Sequence, residues 1–297
     1  MTFKTWLKFV EVQSLVASAL PLILGNLYAA NTYHQMNAVP AIVFVIVAFA
    51  LQMGVNVWNN LQDFKLATSD EWKNGVNNIV GAGGISQRAG WTTLLGLVIV
   101  VVIGGLWLVT QTGWPLLIMG IIGFVVAYWY AGTPLPLSRT PFGELASGLT
   151  MGYLIFLSAT YVNVAPLLDA ELILKAVVAS AIAWFAIADI MLANNIGDYE
   201  EDVAENRHTL VWYLGRDRAV KLFGGIYIAG YIVLILAVIF GILPWPTLIA
   251  LISLPIVIKN TKAFQANPIK PNFPQAIKNA VVISVTLAIG LVIALFI

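Results

Sequence analysis

Nine apolar segments run along this 297-residue chain, and they constrain its fold more than any other feature. Each is about long enough to cross the ~30 Å hydrocarbon core of a bilayer as a helix. With 60% hydrophobic and only 10% charged residues, the chain lacks the composition of a water-soluble globule. The sequence therefore predicts an all-α polytopic membrane protein, with one transmembrane domain over residues 1–297. The predicted helices cover residues 13–30, 39–58, 92–110, 114–131, 143–162, 171–193, 219–241, 244–258 and 276–297.

The basic residues are divided unevenly between the two sides of this predicted bundle. The first connection and every second one after it contain no Lys or Arg, and 14 of the 15 basic residues fall on the opposite side. The exception, Lys175, lies near the outer end of the sixth helix, where it can snorkel. The positive-inside rule then predicts a multi-pass protein of the cell membrane, with the N-terminus and long loops in the cytoplasm and the C-terminus outside.

The second predicted helix ends in a group of polar residues that we call the first cluster: Asn56, Asn59, Asn60 and Asp63. Asn56, Asn60 and Asp63 are spaced i, i+4 and i+7, so they share one face if the helix continues. Charges at a wet membrane face are often solvated loop residues. The helical spacing favours a binding site instead.

A second cluster ends the sixth helix, four helices later in the chain. Asp198 and Asp202, with Asn194 or Asn195, again form one stripe at helical spacing. Both helices descend from the outer face, so both clusters reach the cytoplasmic surface. Because the two helices are four apart and cross the membrane in the same direction, we predict a parallel four-helix pseudo-repeat that carries one polar stripe in each half.

Two facing stripes of carboxylates and amides favour a cation between them. Because the chain has no cysteine and only two histidines, its hard oxygen ligands favour Mg²⁺ or a similar ion. Mg²⁺ is typically held by one or two carboxylates together with ligand phosphates, so the implied ligand is phosphorylated or diphosphorylated. Its greasy portion would lie between the helices. Bases near the clusters can complete such a site, or can contact anionic lipid: Lys65, Lys73, Arg139 and Arg207.

One acid lies inside a predicted span. Asp189 is roughly two turns above Asp198 in the sixth helix. An intramembrane carboxyl group is costly and is therefore a functional candidate, although it can also be neutral or bonded to a neighbouring helix. The net charge of +1 gives no indication of a nucleic-acid partner.

With these two clusters, the chain resembles the UbiA superfamily of intramembrane prenyltransferases. Residues 194–202 (NNIGDYEED), followed by Arg207, are similar to the menaquinone-pathway branch, as is the stretch 132–144 (GTPLPLSRTPFGE) between the fourth and fifth helices. The superfamily's first motif usually reads Asn-Asp-x-x-Asp, but here residues 59–63 read NNLQD. An amide at position 60 keeps an oxygen ligand and removes one negative charge, for which Asp70 or Asn56 can compensate.

The resemblance implies Mg²⁺-dependent transfer of a polyprenyl group from polyprenyl diphosphate to an aromatic acceptor. For this branch the acceptor is 1,4-dihydroxy-2-naphthoate, which is decarboxylated to give demethylmenaquinone; 4-hydroxybenzoate and haem are other acceptors in the superfamily. A transporter is the alternative class, but carriers place their site near the midplane. The implied catalytic residues are Asp63, Lys73, Arg139, Asp198 and Asp202. The implied metal ligands are Asn60, Asp63, Asp198 and Asp202. The implied substrate-binding residues are Asn56, Asn59, Asn60, Lys65, Asn194, Asn195 and Arg207.

Overall fold

The protein is a bundle of helices in the computed structural model, which describes residues 2–66, 79–81 and 84–297. Within those ranges the only β-type pairing is an isolated bridge between Val80 and Ile85. The helices are α1 (Phe3–Phe9), α2 (Val16–Thr32), α3 (Ala38–Leu66), α4 (Gln87–Thr112), α5 (Trp114–Ala131), α6 (Gly143–Val164), α7 (Ala170–Ala179), α8 (Ala181–Gly197), α9 (Tyr199–Ala204), α10 (Leu210–Leu214), α11 (Arg216–Ile239), α12 (Trp245–Ala266) and α13 (Pro274–Ala294).

Eight helical segments of the described chain are long and apolar enough to cross a membrane. The bent pair α7 and α8 makes a ninth when it is counted as one span. Large apolar side chains such as Ile103, Ile239 and Phe240 are exposed on the outside of the bundle, as expected of surfaces that face lipid. The predicted all-α, multi-pass membrane fold is confirmed. The direction in which the chain crosses the membrane stays a prediction.

The second and eighth predicted helices extend furthest past their predicted ends. We expected the second helix to end at residue 58, but α3 continues to Leu66. Asn60 in this last part, and Asn56 one turn before it, bind the N-terminal segment, which keeps the polar turns helical against a packed surface. The eighth helix, expected over 244–258, runs to Ala266 and begins as a 3₁₀ helix over Trp245–Ser253.

The sixth predicted helix is broken where one continuous helix was expected. The axes of α7 and α8 differ by 58°, and Ser180 lies between them. The Ser180 hydroxyl donates to the carbonyl of Ala176 at 2.7 Å, a local bond that competes with the helical ladder and bends helices. The bend separates α8, which carries the second cluster, from the turn that contains Lys175.

The bundle is closed by contacts between helices far apart in sequence. The second span, α3, packs on α4, and the sixth, α8, packs on α11, so the pairing of spans two and three recurs four spans later. The predicted four-helix repeat would produce this pairing, and it stays a prediction. The first part of α6 is a π-helix over Gly148–Leu154, where Gly152 lies directly against Trp184. A β-carbon at Gly152 would lie 2.4 Å from the Trp184 Cα, so the close approach requires glycine.

Candidate active site

A cavity of about 690 Å³ lies among the spans, and most of its wall is apolar. It is lined by residues of α2, α3, α4, α5, α6 and α8, with Ile277 of α13. Amide and carboxyl side chains are also part of the lining: Glu11, Gln13, Gln52, Asn56, Asn59 and Asn194. A cavity of this kind suits a largely apolar ligand that carries a polar group at one place.

The first cluster divides between the cavity and the N-terminal segment. Asn59 lines the cavity, and its Oδ1 is buried without a hydrogen-bond partner in the described chain. Asp63, half-buried, is one turn further along α3. Asn56 also lines the cavity, but its Nδ2 donates to the carbonyl of Val10 at 3.0 Å. The Nδ2 of Asn60 donates to the carboxylate of Glu11, also lining the cavity, at 3.2 Å.

The second cluster is built at the junction of α8 and α9. Asn194 lines the cavity, and its Nδ2 donates to Asp198 Oδ2 at 3.2 Å. Asp198 is the residue between the two helices. Asp202, on α9, is only 3% exposed; one oxygen lies 3.1 Å from Arg207 Nη1, and the other is buried with no partner in the described chain. Asp202 does not line the cavity, and its second oxygen is an unpaired acceptor beside it.

Lys270 is a member of the site that the sequence reasoning missed. Its Nζ lies 2.9 Å from Asp198 Oδ1 and 3.4 Å from Glu201. A β-carbon added to Gly197 would lie 3.0 Å from the backbone of Lys270, so the glycine allows the loop before α13 to approach the second cluster. The signal in the sequence was the glycine directly before Asp198, but its partner cannot be read from spacing.

Two loops from different halves of the chain meet beside the clusters. Arg207 Nη2 donates to the carbonyl of Ser138 at 3.4 Å, and the backbone N–H of His208 donates to the carbonyl of Arg139 at 3.1 Å. The positive charges of Arg207 and Arg139 both act on the carboxylate of Asp63. The predicted bases Arg139 and Arg207 therefore lie near the first cluster. Because Arg207 is also paired with Asp202, it links the second cluster to the first.

The remaining predicted site residues lie elsewhere or outside the described chain. Asn195 is 2% exposed, does not line the cavity, and donates to Glu144 Oε1 at 2.8 Å. Of the two asparagines offered for the stripe, the cavity is lined by Asn194. Lys65 is exposed at the end of α3. Lys73 and Asp70 lie outside the described residues.

Asp189 is separate from the cavity. It is fully buried and does not belong to the lining, although Ile187 and Ile190 of the same helix do. Neither carboxyl oxygen has a hydrogen-bond partner in the described chain. Its position on the opposite side of α8 gives it no contact with a ligand in the cavity.

Two carboxylates outside the spans, Asp202 and Glu11, are poorly solvated. Burial raises the pKa of Asp202 to about 6, and the nearby Arg207 opposes that rise. Burial also raises the pKa of Glu11; the hydrogen bond from Asn60 opposes the rise, and the negative charge of Asp63 adds to it. A cation bound between these groups would stabilise their charged forms.

Comparison with known proteins shows the family of this chain. The model of the UbiA prenyltransferase family matches residues 18–268, which is most of the chain. The chain belongs to the UbiA prenyltransferase family. The predicted family and enzyme class are thus confirmed: it is an aromatic prenyltransferase, built on multiple transmembrane helices.

Relatives of this UbiA member are similar to it over nearly its whole length. It is 27% identical over 288 residues to the 1,4-dihydroxy-2-naphthoate octaprenyltransferase of Bacillus subtilis, covering 95% of this chain and 90% of the relative. A UbiA homolog from Aeropyrum pernix superposes with a TM-score of 0.71 at 16% identity, over 93% of this chain and 98% of that one. A UbiA homolog from Archaeoglobus fulgidus bound to DMAPP and Mg²⁺ has a TM-score of 0.66 at 14% identity, over 99% of both chains. The last two likenesses establish the fold.

The donor set of this UbiA member fits Mg²⁺. The implied ligands are carboxylate and amide oxygens. One of them, Asp202 Oδ2, is buried without a partner in the described chain, as is Oδ1 of Asn59, a predicted substrate-binding residue. No three acidic, histidine or cysteine side chains in the described ranges are close enough to hold a metal ion by themselves. Mg²⁺ bound here would need ligand oxygens to complete its shell, as it does when it binds with phosphates.

Proposed function

We propose that this chain, acting as one transmembrane domain, transfers a polyprenyl group from polyprenyl diphosphate to 1,4-dihydroxy-2-naphthoate, with Mg²⁺ and with loss of the carboxyl group as carbon dioxide. The observation that carries the proposal is the position of the cavity relative to the clusters. The cavity, of about 690 Å³ and mostly apolar in its wall, reaches Asn59 and Asn194, which lie one helical turn before Asp63 and Asp198. A prenyl chain would occupy the apolar part and its diphosphate the polar end.

The acceptor is proposed from the relatives. The Bacillus subtilis protein that is 27% identical over nearly the whole chain is a 1,4-dihydroxy-2-naphthoate octaprenyltransferase. A Mycobacterium tuberculosis protein of the same description is 26% identical over 87% of this chain. The product would be the quinol form of demethylmenaquinone.

The residues that would hold Mg²⁺ are Asn60, Asp63, Asp198 and Asp202. When bound, the ion would neutralise the diphosphate as it becomes a leaving group. The side chains of Arg139, Arg207 and Lys270 would share that charge on the side of the second cluster, because guanidinium and ammonium groups bind phosphate oxygens. Lys73 is proposed for the same role, and Asn56, Asn59, Lys65 and Asn194 for substrate binding. Asn195 would act on the site through Glu144.

The reaction follows from this placement. The allylic carbon–oxygen bond breaks, and its electron pair leaves with the diphosphate. The electron-rich ring then forms a carbon–carbon bond with the allylic carbon. The bond from the ring to its carboxylate breaks, its electron pair returns to the ring, and carbon dioxide leaves. The apolar lining, which includes Leu108, Met119 and Phe124, would keep water away from the allylic cation.

The orientation that we propose places this chemistry at the cytoplasmic face. The clusters lie at the membrane side that carries 14 of the 15 basic residues, and that side is cytoplasmic under the positive-inside rule. A water-soluble acceptor and the released diphosphate would then exchange with the cytoplasm, while the prenylated product leaves into the bilayer.

A panel of acceptors tests the proposal. Purified protein in lipid nanodiscs receives Mg²⁺, octaprenyl diphosphate and, in separate reactions, 1,4-dihydroxy-2-naphthoate, 4-hydroxybenzoate or haem. We expect mass spectrometry to detect an octaprenyl naphthoquinol that lacks the carboxyl group, and only with the naphthoate. Preferential prenylation of 4-hydroxybenzoate or haem would overturn the proposed acceptor. No turnover of the prenyl diphosphate with any acceptor would overturn the proposed reaction.

A further inference from the structure

Glu11 contacts the first cluster, although it is not part of α3, the helix that carries the cluster. It lies between α1 and the 3₁₀ turn Val12–Leu15, in the left-handed conformation with φ of 51°. That backbone conformation is unfavourable for a residue other than glycine, so the surrounding contacts must hold it. The side chain lines the cavity and accepts the hydrogen bond from Asn60 Nδ2 at 3.2 Å.

Three amide side chains of α3 bind the segment around Glu11. They are four residues apart and therefore on one helix face. Gln52 Nε2 donates to the carbonyl of Ser14 at 2.7 Å, Asn56 Nδ2 donates to the carbonyl of Val10 at 3.0 Å, and Asn60 donates to Glu11 itself. This face of α3 positions the N-terminal segment, and the carboxylate of Glu11 is brought to the turn that contains Asp63.

The charges of the two clusters are balanced differently. In the second cluster, Asp198 is paired with Lys270 and Asp202 with Arg207. In the described chain neither Glu11 nor Asp63 forms a salt bridge. Their two negative charges act on each other across the first cluster. The charges of Arg207 and Arg139 act on Asp63, but neither forms an ion pair with it or with Glu11 in the described chain. A pair of nearby carboxylates without a salt-bridged base is the feature that a divalent cation stabilises.

We propose that Glu11 supplies the second carboxylate of the first cluster and, with Asp63, binds the divalent cation there, a charge that the amide of Asn60 does not provide. This rests on the proposed function, because the cation is the one that would accompany the prenyl diphosphate. The N-terminal segment thus belongs to the site, whereas the sequence pattern placed the compensating group at Asn56 or Asp70. Asn56 is bound to the backbone of that segment.

A purely anchoring role for Glu11 makes a different prediction. The contact that would anchor the segment is the hydrogen bond from Asn60, and a glutamine oxygen accepts it equally well. Glu11→Gln therefore keeps the anchor and removes only the charge. If the charge is what matters, a carboxylate placed at the neighbouring position should restore it, and Asn60→Asp provides one 3.2 Å away in the same hydrogen-bonded pair.

Mn²⁺ binding tests the assignment without relying on turnover. Electron paramagnetic resonance measures the Mn²⁺ affinity of the full chain in nanodiscs with inorganic diphosphate, for the wild type, Glu11→Gln, Glu11→Gln/Asn60→Asp, and Glu171→Gln as a control on the opposite membrane side. We expect Glu11→Gln to weaken Mn²⁺ binding by about tenfold or more. The Mn²⁺ affinity of the double variant should recover to within about threefold of the wild type. Glu171→Gln should have the affinity of the wild type. Thermal unfolding of Glu11→Gln should be unchanged.

The outcomes separate this inference from the proposed function. Unchanged Mn²⁺ affinity in Glu11→Gln, while the wild type binds, overturns the role of Glu11 and leaves the proposed reaction standing. Weakened binding without rescue by Asn60→Asp also overturns it, because the charge at the first cluster would then not be the cause. Weakened and rescued binding supports the role of Glu11 even if the acceptor panel rejects the naphthoate.

Discussion

Lys270 Nζ lies 2.9 Å from Asp198 Oδ1, which joins the loop before the last span to the end of the sixth. The two residues are distant in sequence, and the contact neutralises one carboxylate of the second cluster. Since the lysine side chain is 51% exposed and the aspartate side chain 15%, the ammonium group can also reach a ligand at the membrane surface. Lys270 therefore combines two tasks, pairing with Asp198 and attracting an anionic substrate.

Lys270→Met should weaken binding of the prenyl diphosphate. Without the ammonium group, the charge of Asp198 repels the diphosphate, so we expect KM for the prenyl diphosphate to rise by about tenfold, with a smaller change in kcat. Steady-state kinetics with varied donor measures both. Lys175→Met removes a lysine that is also paired with a glutamate but lies near the opposite membrane side, and it should leave KM unchanged. Equal kinetics for both variants would contradict the role of Lys270.

Removal of either second-cluster aspartate should abolish turnover. Asp198→Ala or Asp202→Ala deletes a carboxylate beside the proposed diphosphate site, and we expect kcat/KM to fall by about 100-fold or more. Size-exclusion chromatography and thermal unfolding should show a folded protein. Asp217→Ala, an exposed acid at the start of α11, is the control and should stay active. Wild-type rates in either site variant would show that the metal assignment is wrong.

Gly197→Ala should loosen the same junction through packing. The new β-carbon would lie 3.0 Å from the Lys270 Cα and backbone nitrogen, so the loop must shift. We expect a loss of about 1 kcal/mol in the free energy of unfolding, together with a higher KM for the donor. Gly225→Ala, where a β-carbon meets nothing within 4 Å, should be neutral or slightly stabilising. A donor KM equal to that of the wild type would mean that the junction tolerates the shift.

The far part of the cavity should limit the length of the prenyl chain. Gly105 lines the cavity, and a β-carbon there meets nothing within 4 Å, so Gly105→Phe has open space at the start of its side chain and would narrow the cavity. We expect geranyl diphosphate to be used normally and octaprenyl diphosphate to lose about tenfold or more in kcat/KM. Gly96→Phe on the same helix, also with open space but outside the lining, is the matched control. Equal losses for both donors would place the chain elsewhere.

The membrane fold could be predicted from the sequence because hydrocarbon thickness imposes it. Each of the nine predicted segments corresponds to a span, counting α7 and α8 together. The bend at Ser180 could not be predicted, since Ser180 is one polar residue among apolar ones and acts through a local backbone bond. The end of α3 was predicted too early for a related reason. Its polar turns are held in the helix by hydrogen bonds to the N-terminal segment, which is distant in sequence.

The candidate site could be predicted only as far as helical spacing reaches. Spacing placed Asp198, Asp202 and Asn194 together, because residues three and four apart share a face. Spacing did not show which of Asn194 and Asn195 lines the cavity. Asn194 does, whereas Asn195 donates a hydrogen bond to Glu144. Glu11 and Lys270 join the clusters through tertiary contacts, and no periodicity within one helix carries that information.

The most direct test of the account follows both halves of the proposed reaction in one experiment. Carboxyl-labelled dihydroxynaphthoate is supplied with octaprenyl diphosphate, and labelled carbon dioxide is counted against the prenylated quinol, with Mg²⁺ and then with EDTA. We expect equal amounts of carbon dioxide and quinol with Mg²⁺, neither with EDTA, and recovery when Mg²⁺ is restored. A prenylated product that retains the label, or turnover that persists in EDTA, would contradict it.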